Sequence, residues 1–306
     1  MAPMDGNETR FLEIGRRLRA YRLGRGLTAE HIADRLGLSR AAIYRLEKGE
    51  VVKIETIQRI ADLLDVSVAS LLGVSVEYYD NAVAYFERMR QLEEEAEQVL
   101  AHFSPFSYLL SSDDYARAVA EAIRESTPTD AGDGAAARQV EELIRILQER
   151  RGHAGRRKPL IVSIVGLQDL ERLLRDGVIG RFDLAPEVWA ERRAVARREV
   201  KRLADMMREE PMGIQIGLVE ETLPQQTFQI FRQKGRTFVA MSPFRFADHP
   251  NIRNGVAMVT ETPEAVHLFE GLIGTLWQRA RKGADGARRL MRLLQTTGDG
   301  ALREAP

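Results

Sequence analysis

A chain of 306 residues with 45 basic and 45 acidic side chains is long enough for two domains and at least one sizeable core. Its lack of cysteine excludes disulfides, thiol catalysis and cysteine-ligated zinc. The five histidines (31, 102, 153, 249 and 267) never fall at metal-ligand spacing, so no metal and no other cofactor is expected. Met1–Arg10 is polar, and the longest apolar run, Leu160–Leu167, is interrupted by Ser163 and far short of the roughly 20 residues that span a bilayer. No leader and no membrane contact are therefore expected, and the expected location is the cytoplasm.

The balanced net charge conceals an asymmetry. Between Phe11 and Lys53 stand ten basic residues against five acidic ones, so the rest of the chain carries the opposite excess. A compact basic segment on an otherwise acidic protein points to a polyanionic partner at one end; the alternative is a solvated, arginine-rich helical surface.

In this N-terminal segment the apolar residues repeat with helical period. Leu12, Ile14, Leu18, Tyr21 and Leu23 form the stripe of a first helix that stops at Gly24 and Gly26. Thr28 can cap a second helix with Ile32, Ala33 and Leu36 inward and Gly37 closing it. Ser39 can cap a third, with Ile43 and Leu46 facing the core and Gly49 ending it. A fourth helix is predicted from Glu55 to Asp65, and Val68–Leu72 adds a short fifth. Two short helices joined by a glycine-containing turn make a helix-turn-helix, in which small Ala33 permits close packing and Leu38 plugs the angle.

The residues Gly26-Leu27-Thr28, Ile32-Ala33, Leu36-Gly37-Leu38-Ser39, Ile43 and Leu46-Glu47-Lys48-Gly49 resemble the Cro/C1-type (XRE) DNA-binding domain. The resemblance continues through Ile60–Leu64, Val66-Ser67-Val68 and Leu71-Leu72, covering about residues 11–73. It implies an all-α, five-helix, lambda-repressor-like head at 1–75 whose third helix enters the major groove of double-stranded DNA. Arg40, Ala41, Tyr44 and Arg45 then read bases: either arginine can fork onto a guanine, with a phosphate contact as the alternative, and Ala41 can touch a thymine methyl. Thr28, Ser39, Arg17, Arg35, Lys48 and Lys53 are placed on the backbone phosphates. The resemblance also implies a structural ion pair between Arg22 and Glu47. Ala29 stands where the family often has glutamine, and Val52-Lys53 replaces the usual Pro-Ser, which leaves the operator open.

Residues 76–158 read as a helical connector. From Ala82 the positions Ala82, Tyr85, Met89, Leu92, Ala96, Val99 and Phe103 make an a/d seam, a candidate dimerisation helix over 82–103; the alternative is an amphipathic helix packed on its own chain, favoured by Val83, Phe86 and Leu100. Pro105 breaks it, and a helix from Asp114 to Glu125 precedes the linker Ser126–Ala135. A further helix carries Val140, Leu143, Ile144 and Leu147 inward and ends in the basic stretch Arg150–Lys158, read as a solvated loop or as a phosphate contact.

Residues 159–306 mix strands and helices and read as a C-terminal α/β (α+β) domain. Leu160–Val165, Ile214–Leu218, the hairpin Thr227–Arg232 with Thr237–Met241, and Gly255–Thr260 are the predicted strands. Helices follow the first strand, open at Pro186, and open at Thr262-Pro263-Glu264. No nucleophile elbow, phosphate loop or dinucleotide turn is present. Over 159–282, with Thr262-Pro263-Glu264 and Phe269…Leu276-Trp277…Ala280, the segment resembles one half of the phospholipase D fold. The family's catalytic His-x-Lys is missing: His249-Pro250-Asn251 has asparagine for the lysine, which implies lost hydrolysis and a sensor role. Gln215, Gln229, Arg232, Arg245, Asn254 and Trp277 are the candidate ligand contacts.

The sequence thus predicts a multi-domain, non-enzymatic, sequence-specific DNA-binding transcriptional regulator, a homodimer with a C-terminal domain that senses a small-molecule effector or a partner. The alternatives are an enzyme acting on a nucleotide or phosphate ester fused to a DNA-binding head, and an antitoxin-like scaffold that holds a protein.

Overall fold

The computed structural model describes residues 6–50, 53–74, 76–127, 134–247 and 250–297, with side chains from Phe11 onward. Most of the predicted linker (128–133) and His249 lie outside the described residues.

Five helices form the head: α1 (Gly6–Gly24), α2 (Ala29–Leu36), α3 (Arg40–Glu47), α4 (Ile54–Leu64) and α5 (Val68–Leu72). Their ends follow local chemistry. Thr28 Oγ1 accepts the His31 N–H at 3.1 Å and Gly37, at φ 69°, closes α2; Ser39 Oγ accepts the Ala42 N–H at 3.1 Å to start α3. Leu18, Ile32, Ala33, Leu36, Ile43 and Ile60 bury the shared core. Leu38 departs from expectation: it lies exposed in the turn rather than filling the angle between α2 and α3.

A mixed seven-stranded sheet follows, in the order β1-β7-β6-β5-β2-β3-β4. The strands are β1 (Val76–Tyr79), β2 (Gln98–His102), β3 (Leu160–Gly166), β4 (Ile214–Val219), β5 (Thr227–Gln233), β6 (Arg236–Ser242) and β7 (Ala257–Thr260). β2, β3 and β4 run parallel, and the remaining pairs are antiparallel. Helix α11 (Pro263–Arg279) packs Ile273 and Leu276 on one face of the sheet, against Ile164, Phe228, Ile230 and Val239. On the other face lie α6 (Ala82–Glu95), α7 (Asp113–Glu125), α8 (Ala135–Arg157), α9 (Leu167–Asp176), α10 (Pro186–Glu209) and α12 (Gly283–Thr296), in one hydrophobic core that continues into the head. Among the described residues no helix is long and apolar enough to cross a membrane.

Two sequence expectations fail here. Residues 76–158 are no separate connector, because they supply an edge strand, β1, and an interior strand, β2, to the sheet. The predicted dimerisation helix over 82–103 ends at Glu95: Ala96 adopts extended backbone (ψ 128°), and Val99 pairs with Ile161 and Phe231 in β2. Ala82, Tyr85, Met89 and Leu92 are buried against the chain's own core, so this seam presents no surface to a second copy.

Candidate nucleic-acid interface

Helix α3 has two unlike faces. Ile43 and Glu47 are buried, while Arg40, Ala41, Tyr44, Arg45 and Lys48 are exposed at helical spacing along one side. The Arg40 guanidinium lies 5.4 Å over the Tyr44 ring and donates to its hydroxyl at 3.3 Å, which pre-orders both side chains outside the fold. Arg45 Nε donates to Glu50 at 2.5 Å, and its two terminal nitrogens carry no bond among the described residues. Arg35 at the end of α2 and Lys53 before α4 are also exposed, as are the cap residues Thr28 and Ser39. Both cap hydroxyls accept a backbone N–H and keep their own hydrogen to donate, the arrangement that suits a phosphate oxygen.

The buried side of α3 is held to the scaffold. Arg22 on α1 donates to both carboxylate oxygens of Glu47, at 2.5 and 3.2 Å, and a third nitrogen bonds the Leu27 carbonyl at 2.9 Å. Both side chains are nearly inaccessible, so the fork is directional and little screened. Gly15 lets α1 and α3 touch: a Cβ there would lie 2.6 Å from the Glu47 carbonyl oxygen and closer still to that of Leu46.

Half of the basic residues between Phe11 and Lys53 (Arg16, Arg17, Arg19, Arg22 and Arg25) pair with acids of the chain's own fold, and two of them, Arg17 and Arg22, are buried. Arg17, expected on a phosphate, is buried; its Nε donates to the Leu71 carbonyl at 2.9 Å, and its terminal nitrogens reach Leu72 and Glu77. That expectation is corrected: every N–H direction of this guanidinium is aimed into the fold. Arg16 pairs with Glu13 and Glu95, Arg19 with Glu87, and Arg25 with Asp80. At the centre Arg88 of α6, fully buried, donates to Glu77 at 2.9 and 3.0 Å and to Glu13 at 2.7 Å. Burial pushes the Glu13 carboxyl up, but Arg88, Arg16 and Arg17 together outweigh it and hold the pKa down to about 2. Glu77 is lowered by the same balance, with Arg88 and Arg17 against burial. Tyr79 donates to Glu77 at 2.5 Å and stacks on Tyr21 of α1 at 4.9 Å. These charges bind α1 to α6 and β1, so the head is docked on the sheet. Apart from Glu13, which lies on α1 itself, these acids lie on α6 and in or beside β1, far along the chain from the arginines of α1, and no local pattern announces them.

The basic stretch Arg150–Lys158 is not a loop either. It completes α8, and Arg150 is buried with three hydrogen bonds of 2.6 to 3.2 Å onto Glu93.

The six candidate ligand contacts do not converge. Gln215 is exposed near the start of β4, and Gln229 is buried in mid-sheet. Arg232 binds Glu270 and Gln98, Trp277 lies beneath Lys282, and Asn254 bonds Asn251. Arg245 alone of the six lines a cavity of about 750 Å³ beyond the ends of β2 and β3.

Residues 13–77 match the family model described as a helix-turn-helix domain. No curated protein matches the chain. Among solved structures, the chain is similar to one described as "Structure of TrmBL2, an archaeal chromatin protein, shows a novel mode of DNA binding", at 12% identity and a TM-score of 0.29. That likeness covers 74% of this chain and 60% of the other, and at this score it carries no argument. Neither comparison supports the resemblance of residues 159–282 to a phospholipase D half. The chain carries a helix-turn-helix domain at its N-terminal end, followed by an α/β sheet domain.

Proposed function

We propose that the chain is a sequence-specific, Cro/C1-type transcriptional regulator that binds a partly symmetric DNA site as a homodimer and responds to an effector through its sheet domain. One observation carries this reading: Arg40, Ala41, Tyr44 and Arg45 stand exposed along one side of a short helix whose opposite side is clamped by the buried Arg22–Glu47 fork. A helix presented this way fits the major groove, and its first turns meet base edges. Heads of this kind read paired half-sites about one helical turn apart, which supports a dimer. The sensing role is supported by the docking of α1 on α6 through Glu13, Arg17, Glu77 and Arg88, which makes the placement of the head a property of the sheet domain. The reading assigns no catalysis to that domain.

The test is a gel-shift series against salt, using fragments selected from random DNA. Arg40→Ala should erase preference at one base position, a discrimination of about tenfold. Lys53→Ala should weaken all sequences alike and reduce the slope of log affinity against log salt by about 0.9. Equal behaviour of the two variants, or no binding in dilute buffer, overturns the assignment.

A further inference from the structure

A cavity of about 750 Å³ opens where β2 and β3 end, at His102 and Gly166, the position at which open α/β sheets take their ligands. The loop after β4 (221–226) and the described residues of the β6–β7 connection (243–247 and 250–256) wall its other sides. Its charged lining residues balance, with Asp169 and Glu221 against Arg172 and Arg245; Asp169 faces Arg172 at 3.7 Å, and Glu221 faces Arg279, which stands outside the lining, at 3.2 Å. Burial lowers the His102 pKa, so the ring is neutral near pH 7, and it hydrogen-bonds the Pro224 carbonyl at 2.8 Å through Nε2. By contrast, Ser104, Gln168, Thr222, Gln225 and Gln226 line the cavity with side chains that make no hydrogen bond among the described residues. Each of these groups can both donate and accept. A phosphate ester or nucleotide would require an excess of cations here, and the wall has none.

The β6–β7 connection joins this cavity to the head. Arg245 and Asn251 exchange backbone hydrogen bonds of 3.1 and 3.0 Å, and Asn251 Nδ2 donates to the Pro243 and Asn254 carbonyls, so these described residues of the connection are tied to one another. On its inner side Phe246 packs 4.6 Å from Phe86 of α6, Phe244 lies 6.0 Å from Tyr85, and the Ile252 carbonyl accepts the Ala82 N–H at 3.4 Å. The start of α6 in turn abuts the end of α1: a Cβ on Gly24 would lie 2.5 Å from that of Ala84, and Arg25 binds Asp80 at 3.0 Å. Helix α1 then holds α3 through Arg22 and Glu47.

We infer that this cavity is the effector site, that it takes a small, electrically neutral molecule bearing several hydroxyl groups, and that the β6–β7 connection and α6 pass its occupancy to the recognition helix. The inference rests on the regulator reading for its output but not for its ligand. The ligand shifts the head only by binding two arrangements of the connection unequally.

The experiment uses the full chain. Calorimetry against glucose, sucrose and myo-inositol, with inorganic phosphate and AMP beside them, should give binding by at least one neutral compound and by neither anion. The binding compound should change affinity for selected DNA by about fivefold or more. Gln168→Ala combined with Gln226→Ala should weaken its binding about tenfold, and Phe246→Leu should keep ligand binding while reducing the change in DNA affinity. Binding of the anions alone, binding of none of the neutral compounds, or undiminished binding in the double variant overturns the site. Unchanged DNA affinity on saturation overturns the coupling. A chain that binds a neutral compound but no DNA strikes the regulator reading and leaves the cavity assignment standing.

Discussion

Replacing Arg88 with methionine removes a fully buried guanidinium of similar length and leaves Glu13 and Glu77 facing each other across the gap. Arg17 remains 3.1 Å from Glu77 and 3.6 Å from Glu13, and Arg16 2.9 Å from Glu13, but the three hydrogen bonds that Arg88 donates to the two buried carboxylates are lost. Breaking a buried ion pair from one side costs about 3–5 kcal/mol, a large part of the about 5–15 kcal/mol that holds a typical domain folded. The pH dependence separates charge from packing. The Glu13 pKa is held at about 2 in the folded chain against an ordinary 4.5. A depressed carboxyl pKa gives stability that is complete above the unfolded value and is lost as pH falls from 4.5 toward 2, amounting here to about 3 kcal/mol. In the variant that depression shrinks, because Arg88 is the largest of the three arginine contributions to it, and protonation relieves the charge left underpaired. The stability gap between the two proteins should therefore be widest at neutral pH and shrink to under about 2 kcal/mol near pH 3. Urea unfolding followed by circular dichroism at both pH values measures it. Both tryptophans, Trp189 and Trp277, lie in the sheet domain, so fluorescence should lag the helical signal as the head loosens first. A gap of equal size at pH 3 and pH 7 refutes the electrostatic account and leaves Arg88 as a space filler.

Gly15→Ala should force α1 and α3 apart, since the new methyl meets the Leu46 and Glu47 carbonyl oxygens. Expected are a lower melting temperature by an overpacking cost of about 1–3 kcal/mol and a DNA affinity that falls even at temperatures where the chain stays folded. Ser39→Ala should cost about 1 kcal/mol through loss of the bond to the Ala42 N–H. If Ser39 also meets a phosphate, the same variant loses affinity equally for all DNA sequences in gel shifts, whereas a purely capping role leaves affinity at low temperature unchanged.

The head was legible because each of its helices carries its own instructions. Thr28 and Ser39 start α2 and α3, Gly37 stops α2, and Ile32, Ile43 and Ile60 repeat with helical period. Strand β2 was not legible: Val99 continues the spacing of Ala82, Tyr85, Met89 and Leu92, and a short strand buried on both faces lacks the alternation that betrays an edge. The inward turn of Arg16, Arg17 and Arg19 was hidden for another reason. Their partners Glu95, Glu77 and Glu87 come from elements that only the folded topology brings beside α1. The cavity escaped for the same cause, since its uncommitted groups are drawn from the loop after β2, the first turn of α9 and the loop after β4, and the ligand residues chosen by type alone were scattered from mid-sheet to surface.

The burial of Glu77 and Arg88 against α1 has a consequence for how this head can be moved between proteins. A fragment cut after the fifth helix would take Arg17 and Glu13 away from both. Grafting onto another regulator therefore requires a longer cassette, reaching through β1 to Glu95, so that the donor's interior salt contacts travel with it.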